Sequence, residues 1–155
     1  MAEYPAPPVQ VSARIPAPPD VVLAFLADTR NDPLWCENVD TVVMLTPEPV
    51  AVGSRFRFHQ HLDRPGGQRL EFDVDVEITH LDEDSVTWRV EDRFQERDIT
   101  MTVTQIDSGC FVAQTTRARF KRKPGLAKWA YPVMARRIFR KQFRALEERF
   151  TSGTL

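Results

Sequence analysis

Helical spacing occurs in two places along this chain of 155 residues: within Arg14 to Trp35 (RIPAPPDVVLAFLADTRNDPLW), and again in roughly the last thirty residues. Everything between reads as strands. A sheet flanked by one short early helix and one long final helix leaves few ways to close a core.

The early stretch sets its own boundaries. Val9, Val11, Ala13 and Ile15 alternate with Gln10, Ser12 and Arg14, the period of two of a half-buried strand. Pro16 lacks the amide that a ladder needs and ends it. Pro18 and Pro19 have φ already suited to a helix start, and Val21, Val22, Phe25 and Leu26 then recur at helical spacing. Asp28, Thr29, Asn31, Asp32 and Pro33 break that helix, and Pro33 opens a second short one carrying Leu34 and Trp35.

From Val39 onward turn clusters separate successive strands. Arg55 to Leu62 places Phe56, Phe58, Gln60 and Leu62 on one side and Arg55, Arg57, His59 and His61 on the other. Leu70, Phe72, Val74, Val76 and Ile78 alternate with Glu71, Asp73, Asp75 and Glu77, one dry face and one wet. Val86 to Asp92, Arg97 to Ile106 and Cys110 to Phe120 follow, so seven strands are expected. From Leu126 to Phe150 the apolar residues Trp129, Val133, Met134, Ile138, Phe139, Phe143, Leu146 and Phe150 fall mainly at steps of three and four, which predicts a long amphipathic helix. Pro132 is expected to kink it or to mark where its main part begins.

The expected organisation is a flexible Pro-rich arm over residues 1–8, one domain over 9–150 and a tail over 151–155. No apolar run is long enough for a signal sequence or a membrane span, and two cysteines, Cys36 and Cys110, make no disulfide framework. A cytoplasmic protein with two buried thiols is expected.

Strand, short helices, six further strands and a long closing helix is the order of the helix-grip fold, an α+β arrangement in which a curved antiparallel sheet wraps the last helix. The phrase IPAPPDVVLAFLADTRNDPLW, followed by Val52-Gly53-Ser54-Arg55-Phe56, resembles the polyketide cyclase/dehydrase and lipid-transport family of the SRPBCC (START-like) superfamily. The resemblance runs from Val9 to Phe150. It implies a cavity between sheet and helix that accepts a small hydrophobic molecule, and it brings no universal catalytic residue.

The residues support a cavity independently, because one helix fills a curved sheet less tightly than a second sheet would. Its expected apolar lining is Phe56, Phe58, Phe72, Trp88 and either Phe111 or Val112 from the strands. Phe25 and Trp35 contribute from the early helices, with Trp129, Met134 and Ile138 from the last one. Polar groups on the dry face are more diagnostic, since an unpaired buried one costs about 1–3 kcal/mol. Gln60, Asp92, Gln114 and Thr116 fall there and are placed to orient a ligand's oxygens, or else to satisfy one another or a buried water.

Other clusters point elsewhere. His59 and His61 share a strand face with Arg55 and Arg57, whose charge opposes a cation, and no carboxylate stands at a useful local spacing, so no metal site is expected. Glu71, Asp73, Asp75 and Glu77 lie on the wet face and read as solubilising charge. His80 ends its strand at the rim, and no cofactor-binding motif is present.

Charge is segregated. Between Arg117 and Arg149 stand twelve basic residues against two acidic, a local +10 on a body of −11. Arg136, Arg137, Arg140 and Lys141 are the candidate contacts to an anionic membrane surface. Nucleic acid is the less favoured partner, since no base-stacking aromatics accompany the charge, and a solvated face balanced by the acidic sheet is the bland alternative.

Two functional classes follow: a binding or carrier protein for a lipid-like or polyketide-like molecule, or a cyclase or dehydratase acting on such a molecule in the same cavity. A third is an interaction protein using the basic helix at membranes or nucleic acid.

Overall fold

The computed structural model describes residues 3–153. Its elements are β1 (Tyr4–Pro5), β2 (Val9–Ile15), α1 (Pro19–Ala27), a 3₁₀ turn (Thr29–Leu34), β3 (Val39–Met44), β4 (Arg55–Asp63), β5 (Arg69–Leu81), β6 (Ser85–Glu91), β7 (Gln95–Ile106), β8 (Gly109–Phe120) and α2 (Ala127–Ser152). The strands form one antiparallel sheet, ordered β1-β8-β7-β6-β5-β4-β3, with β2 on the same edge of β8 as β1.

The sheet therefore has eight strands where seven were expected. The extra one lies in the segment read as a loose arm: Tyr4 and Pro5 pair with Phe120 and Arg119, and the Ala6 amide donates to the Ala118 carbonyl at 2.9 Å. Two residues without alternation leave no period to read. Met1 and Ala2 of that arm, and Thr154 and Leu155 of the tail, lie outside the described residues. Thr151 and Ser152, also assigned to the tail, extend α2 instead.

Alternation decides which faces are dry. Phe56 and Phe58 on β4, Val74, Val76 and Ile78 on β5, Val86, Trp88 and Val90 on β6 and Val112 on β8 are all buried. Phe111 is exposed and Val112 fully buried, so it is Val112 that faces the dry side of β8. A register shift between Ile78 and His80 ends the alternation on β5, leaving His80 on the exterior with Nε2 2.7 Å from Asp82 Oδ2.

The last helix divides into halves with different tasks. Ala135, Phe139, Phe143, Leu146 and Phe150, at steps of four, four, three and four, are buried and close the core. Phe150 meets Phe25 of α1 edge-to-face with centroids 5.3 Å apart, and Phe143 meets Trp35 at 6.3 Å. The helix runs continuously through Pro132, and its close backbone approach is to β2. Its N-terminal half stands across from the middle strands, and the space beneath that half is the cavity. No helix among the described residues is long and apolar enough to cross a membrane.

Candidate functional site: the cavity between sheet and closing helix

The cavity has a volume of about 400 Å³, within the range of sites for small organic ligands. Its walls are mostly apolar. Phe58, Phe72 and Trp88 line it from the sheet, Trp35 from the segment after α1, and Met134 and Ile138 from α2, as their spacing suggests. Gln60, Asp92 and Gln114 line it too.

Five expected lining residues do not: Val112, like Phe111, is no part of the cavity wall and lies fully buried in the core. Phe25 turns to Phe150, and Phe56 is fully buried within the core. Thr116 is also fully buried, its hydroxyl accepting from Gln114 Nε2 at 3.2 Å, so these two polar groups partly satisfy each other. Trp129 is 72% exposed. It precedes Ala135 by six positions, which places it about 120° around the helix from the buried stripe.

Polarity within this wall is specific. Seven buried side-chain polar atoms among the described residues make no hydrogen bond to another protein group, and every one belongs to a residue lining this cavity. Thr29 Oγ1, Asp32 Oδ1 and Trp35 Nε1 come from the 3₁₀ turn and its end, the indole N–H standing beside the Asp32 carboxyl without a well-formed bond. Gln95 Oε1, Arg97 Nε and Tyr131 OH come from the start of β7 and from α2, and Trp88 Nε1 from β6. Orphaned polar groups are uncommon in folded proteins because each forfeits its hydration. The uncompensated polarity among the described residues is thus concentrated in the residues around this cavity.

Asp32 is the buried acid of the site. Burial drives its carboxyl well above the usual carboxylate range, opposed by the neighbouring Trp35 side chain and reinforced by the charge of Asp28. Burial likewise pushes the Cys36 thiol well up, with Asp32 adding to the effect. Burial thus disfavours the charged form of both groups. Asp92 is held differently: its Oδ1 accepts from the amides of Phe94 and Gln95 at 2.7 and 2.9 Å, capping the β6–β7 turn, and its Oδ2 lies 3.8 Å from Arg97 Nη2.

Residues overlooked in the sequence differ in how visible they were. Arg97 and Gln95 share the parity of Ile99, Met101 and Val103, so alternation along β7 already turned them inward. Tyr131 extends the buried stripe backwards by one step of four from Ala135. Asp32 lies in a six-residue 3₁₀ turn, where no period exists to read.

The outward histidines have company that local spacing concealed. His59 Nδ1 is 2.9 Å from Asp73 Oδ1 and its Nε2 is 3.7 Å from Glu71 Oε1, both on β5, while β3 places Asp40 beside His61 at 2.9 Å. Asp40, His59 and Glu71 present ligand atoms within 4.8 Å of one another. No carboxylate stands at a useful local spacing, yet cross-strand register brings three beside these imidazoles. The hydrogen bond to Asp73 raises the His59 pKa above its ordinary value, and Arg57, expected to repel a cation, is paired with Asp75 at 3.0 Å.

The basic zone is likewise partly compensated. Arg119 bonds Asp98 and Glu96 at 2.9 and 3.0 Å, Lys121 bonds Glu91 at 2.7 Å and Lys141 bonds Glu37 at 2.6 Å. Arg137, Arg140 and Arg144 lie exposed along α2, whereas Arg136 is half-buried.

A family model described as polyketide cyclase/dehydrase and lipid transport matches residues 7–151. Among solved structures, the chain is similar to TTHA0849 from Thermus thermophilus, with a TM-score of 0.74 at 18% identity over 96% of this chain and 100% of that one. It is similar to SA2116 from Staphylococcus aureus, with a TM-score of 0.75 at 11% identity over 98% and 97%. It is also similar to the ginseng major latex-like protein 151 from Panax ginseng, with a TM-score of 0.69 at 15% identity over 93% and 97%. At these identities the likeness concerns the fold alone. No curated protein matches the sequence.

Proposed function

The chain belongs to the polyketide cyclase/dehydrase and lipid transport family, and we propose that within it this protein binds and carries a small, oxygen-bearing hydrophobic molecule in the cavity beneath α2. One observation carries the reading: the unpartnered polar atoms all line the same apolar cavity of about 400 Å³. A ligand with an apolar body covers the aromatic walls, and its oxygens meet the orphaned donors.

Binding is favoured over turnover. Moving a proton between enzyme and substrate calls for an acid and a base in reach of it, whereas Arg97 keeps its proton and Asp92 Oδ1 is engaged by two backbone amides. The cyclase or dehydratase reading rests on Asp32, a buried acid in the wall whose charged form burial disfavours. Native mass spectrometry of the protein from its own cells, followed by release in denaturant, separates the two. A co-purifying molecule recovered intact after prolonged incubation is expected, whereas conversion to a product lighter by one water would overturn carriage.

Exchange at an anionic membrane surface is part of the same proposal. Leu126, Trp129 and Val133 are 87%, 72% and 68% exposed and share one stripe of α2 with Arg137, Arg140 and Arg144. The apolar end of that stripe adjoins the cavity wall at Ala127 and Ala130, and such a surface suits headgroups above acyl chains. A cytoplasmic location accompanies this reading. Arg137, Arg140 and Lys141 replaced together by Gln are expected to weaken the affinity for phosphatidylserine vesicles, read by sedimentation, by about thirtyfold, at about 1 kcal/mol for each of the two arginines, Lys141 being already engaged by Glu37. Undiminished binding would remove the membrane from the account.

A further inference from the structure

We propose that the ligand is an apolar acid whose carboxylate is received by Arg97 and Tyr131 beneath the β6–β7 turn, a proposal that rests on the cavity-binding reading above. Arg97 occupies an inward position of β7, in register with Val90 on β6 and Ala118 on β8. Its side chain is 15% exposed. A guanidinium in an apolar wall costs free energy unless it is paired and hydrogen-bonded.

The pairing inside the protein is incomplete. Asp92 Oδ2 lies 3.8 Å from Nη2, beyond hydrogen-bond length, while Asp92 Oδ1 is engaged by two backbone amides. Arg97 Nε makes no bond, and neither does the Tyr131 hydroxyl arriving from α2. Tyr131 stands close enough to feel the charges of both Arg97 and Asp92, and burial keeps its phenol protonated and able to donate. A guanidinium edge beside a phenol O–H is a donor set suited to the two oxygens of a carboxylate. Gln95, whose Oε1 is also unpartnered, offers its amide N–H to the same group after rotation about its last bond.

Charge around this end favours an anion over a neutral carbonyl. The Lys121 amide donates to the Phe94 carbonyl at 3.0 Å, tying the end of β8 to the turn, and Arg93 lies 4.7 Å over the Phe94 ring. Arg93 thus flanks the turn, with Arg122 and Lys123 next along the chain from Lys121, while its acidic neighbours Glu91 and Glu96 are taken by Lys121 and Arg119. Such a rim draws anions inward.

Decanoate and decanol, matched in chain and differing in head, test the assignment by displacement of the neutral fluorophore N-phenyl-1-naphthylamine at about pH 8, where a carboxylic acid is ionised. The wild-type protein is expected to prefer decanoate by about tenfold or more, the order expected of a charge-assisted pair. Arg97→Gln and, separately, Tyr131→Phe are expected to shrink that preference to about threefold or less. Equal affinities for acid and alcohol in the wild type would overturn the carboxylate assignment and leave the cavity reading standing. A preference unchanged in both variants would overturn it as well, and failure of both compounds and the fluorophore to bind would overturn the cavity reading with it.

Discussion

Gly109→Ala is expected to lower stability by about 2–5 kcal/mol, read as a shift of the urea midpoint at unchanged slope. Gly109 opens β8 after the β7–β8 turn with φ of 140°, a backbone conformation that residues with a Cβ rarely adopt. A methyl group there would lie 2.2 Å from the Ile15 carbonyl oxygen and 2.8 Å from the Ala17 amide nitrogen. Both obstacles are backbone, fixed because Ile15 pairs with Cys110 and Pro16 follows at once, so neither can swing aside. The contact decides more than one turn, since the chain leaving β2 here enters α1, whose Leu26 lines the cavity. Gly66, in the β4–β5 turn with φ of 93°, gives the comparison, because a methyl group added there would meet nothing within 4 Å. Alanine at that position is expected to cost only the conformational share, about 1–2 kcal/mol. Equal losses at the two glycines would refute the close approach of β2 to the head of β8.

What could be read from the sequence follows from where periods exist. Along β4, β5 and β6 the alternation is long enough that Phe58, Gln60, Phe72 and Trp88 are placed on the cavity side by counting alone. The same counting along β7 reaches Arg97, but a charged residue near a strand end invites a solvent reading, which its Val90 and Ala118 neighbours contradict. On α2 the apolar residues form more than one stripe: the one through Ala135 and Phe139 is buried, Met134 and Ile138 beside it line the cavity, and Trp129 belongs to an outward one. Amphipathic spacing alone does not say which apolar stripe meets the sheet. Asp32 and the carboxylates beside His59 escape for a further reason: their neighbours are set by a turn and by cross-strand register, and neither leaves a local pattern.

Ala135→Phe is expected to reduce the affinity for an apolar ligand by at least about tenfold, equivalent to about 1.4 kcal/mol. Ala135 is buried, lines the cavity, and stands one helical step of four from both Tyr131 and Phe139, so an added ring projects into the space a ligand would take. Because that ring enters a void of about 400 Å³, the stability cost should stay within the range of modest overpacking, about 1–3 kcal/mol. Glu71→Ala, on the outward face of β5, removes no cavity wall and is expected to leave binding unchanged. The most direct measurement is therefore a fluorescence titration of the wild-type protein, Ala135→Phe and Glu71→Ala with N-phenyl-1-naphthylamine. Saturable binding of one fluorophore per chain, weakened about tenfold or more in Ala135→Phe and unaltered in Glu71→Ala, is the predicted result; equal affinity in all three proteins, or no saturable binding to the wild type, would contradict a ligand cavity beneath the closing helix.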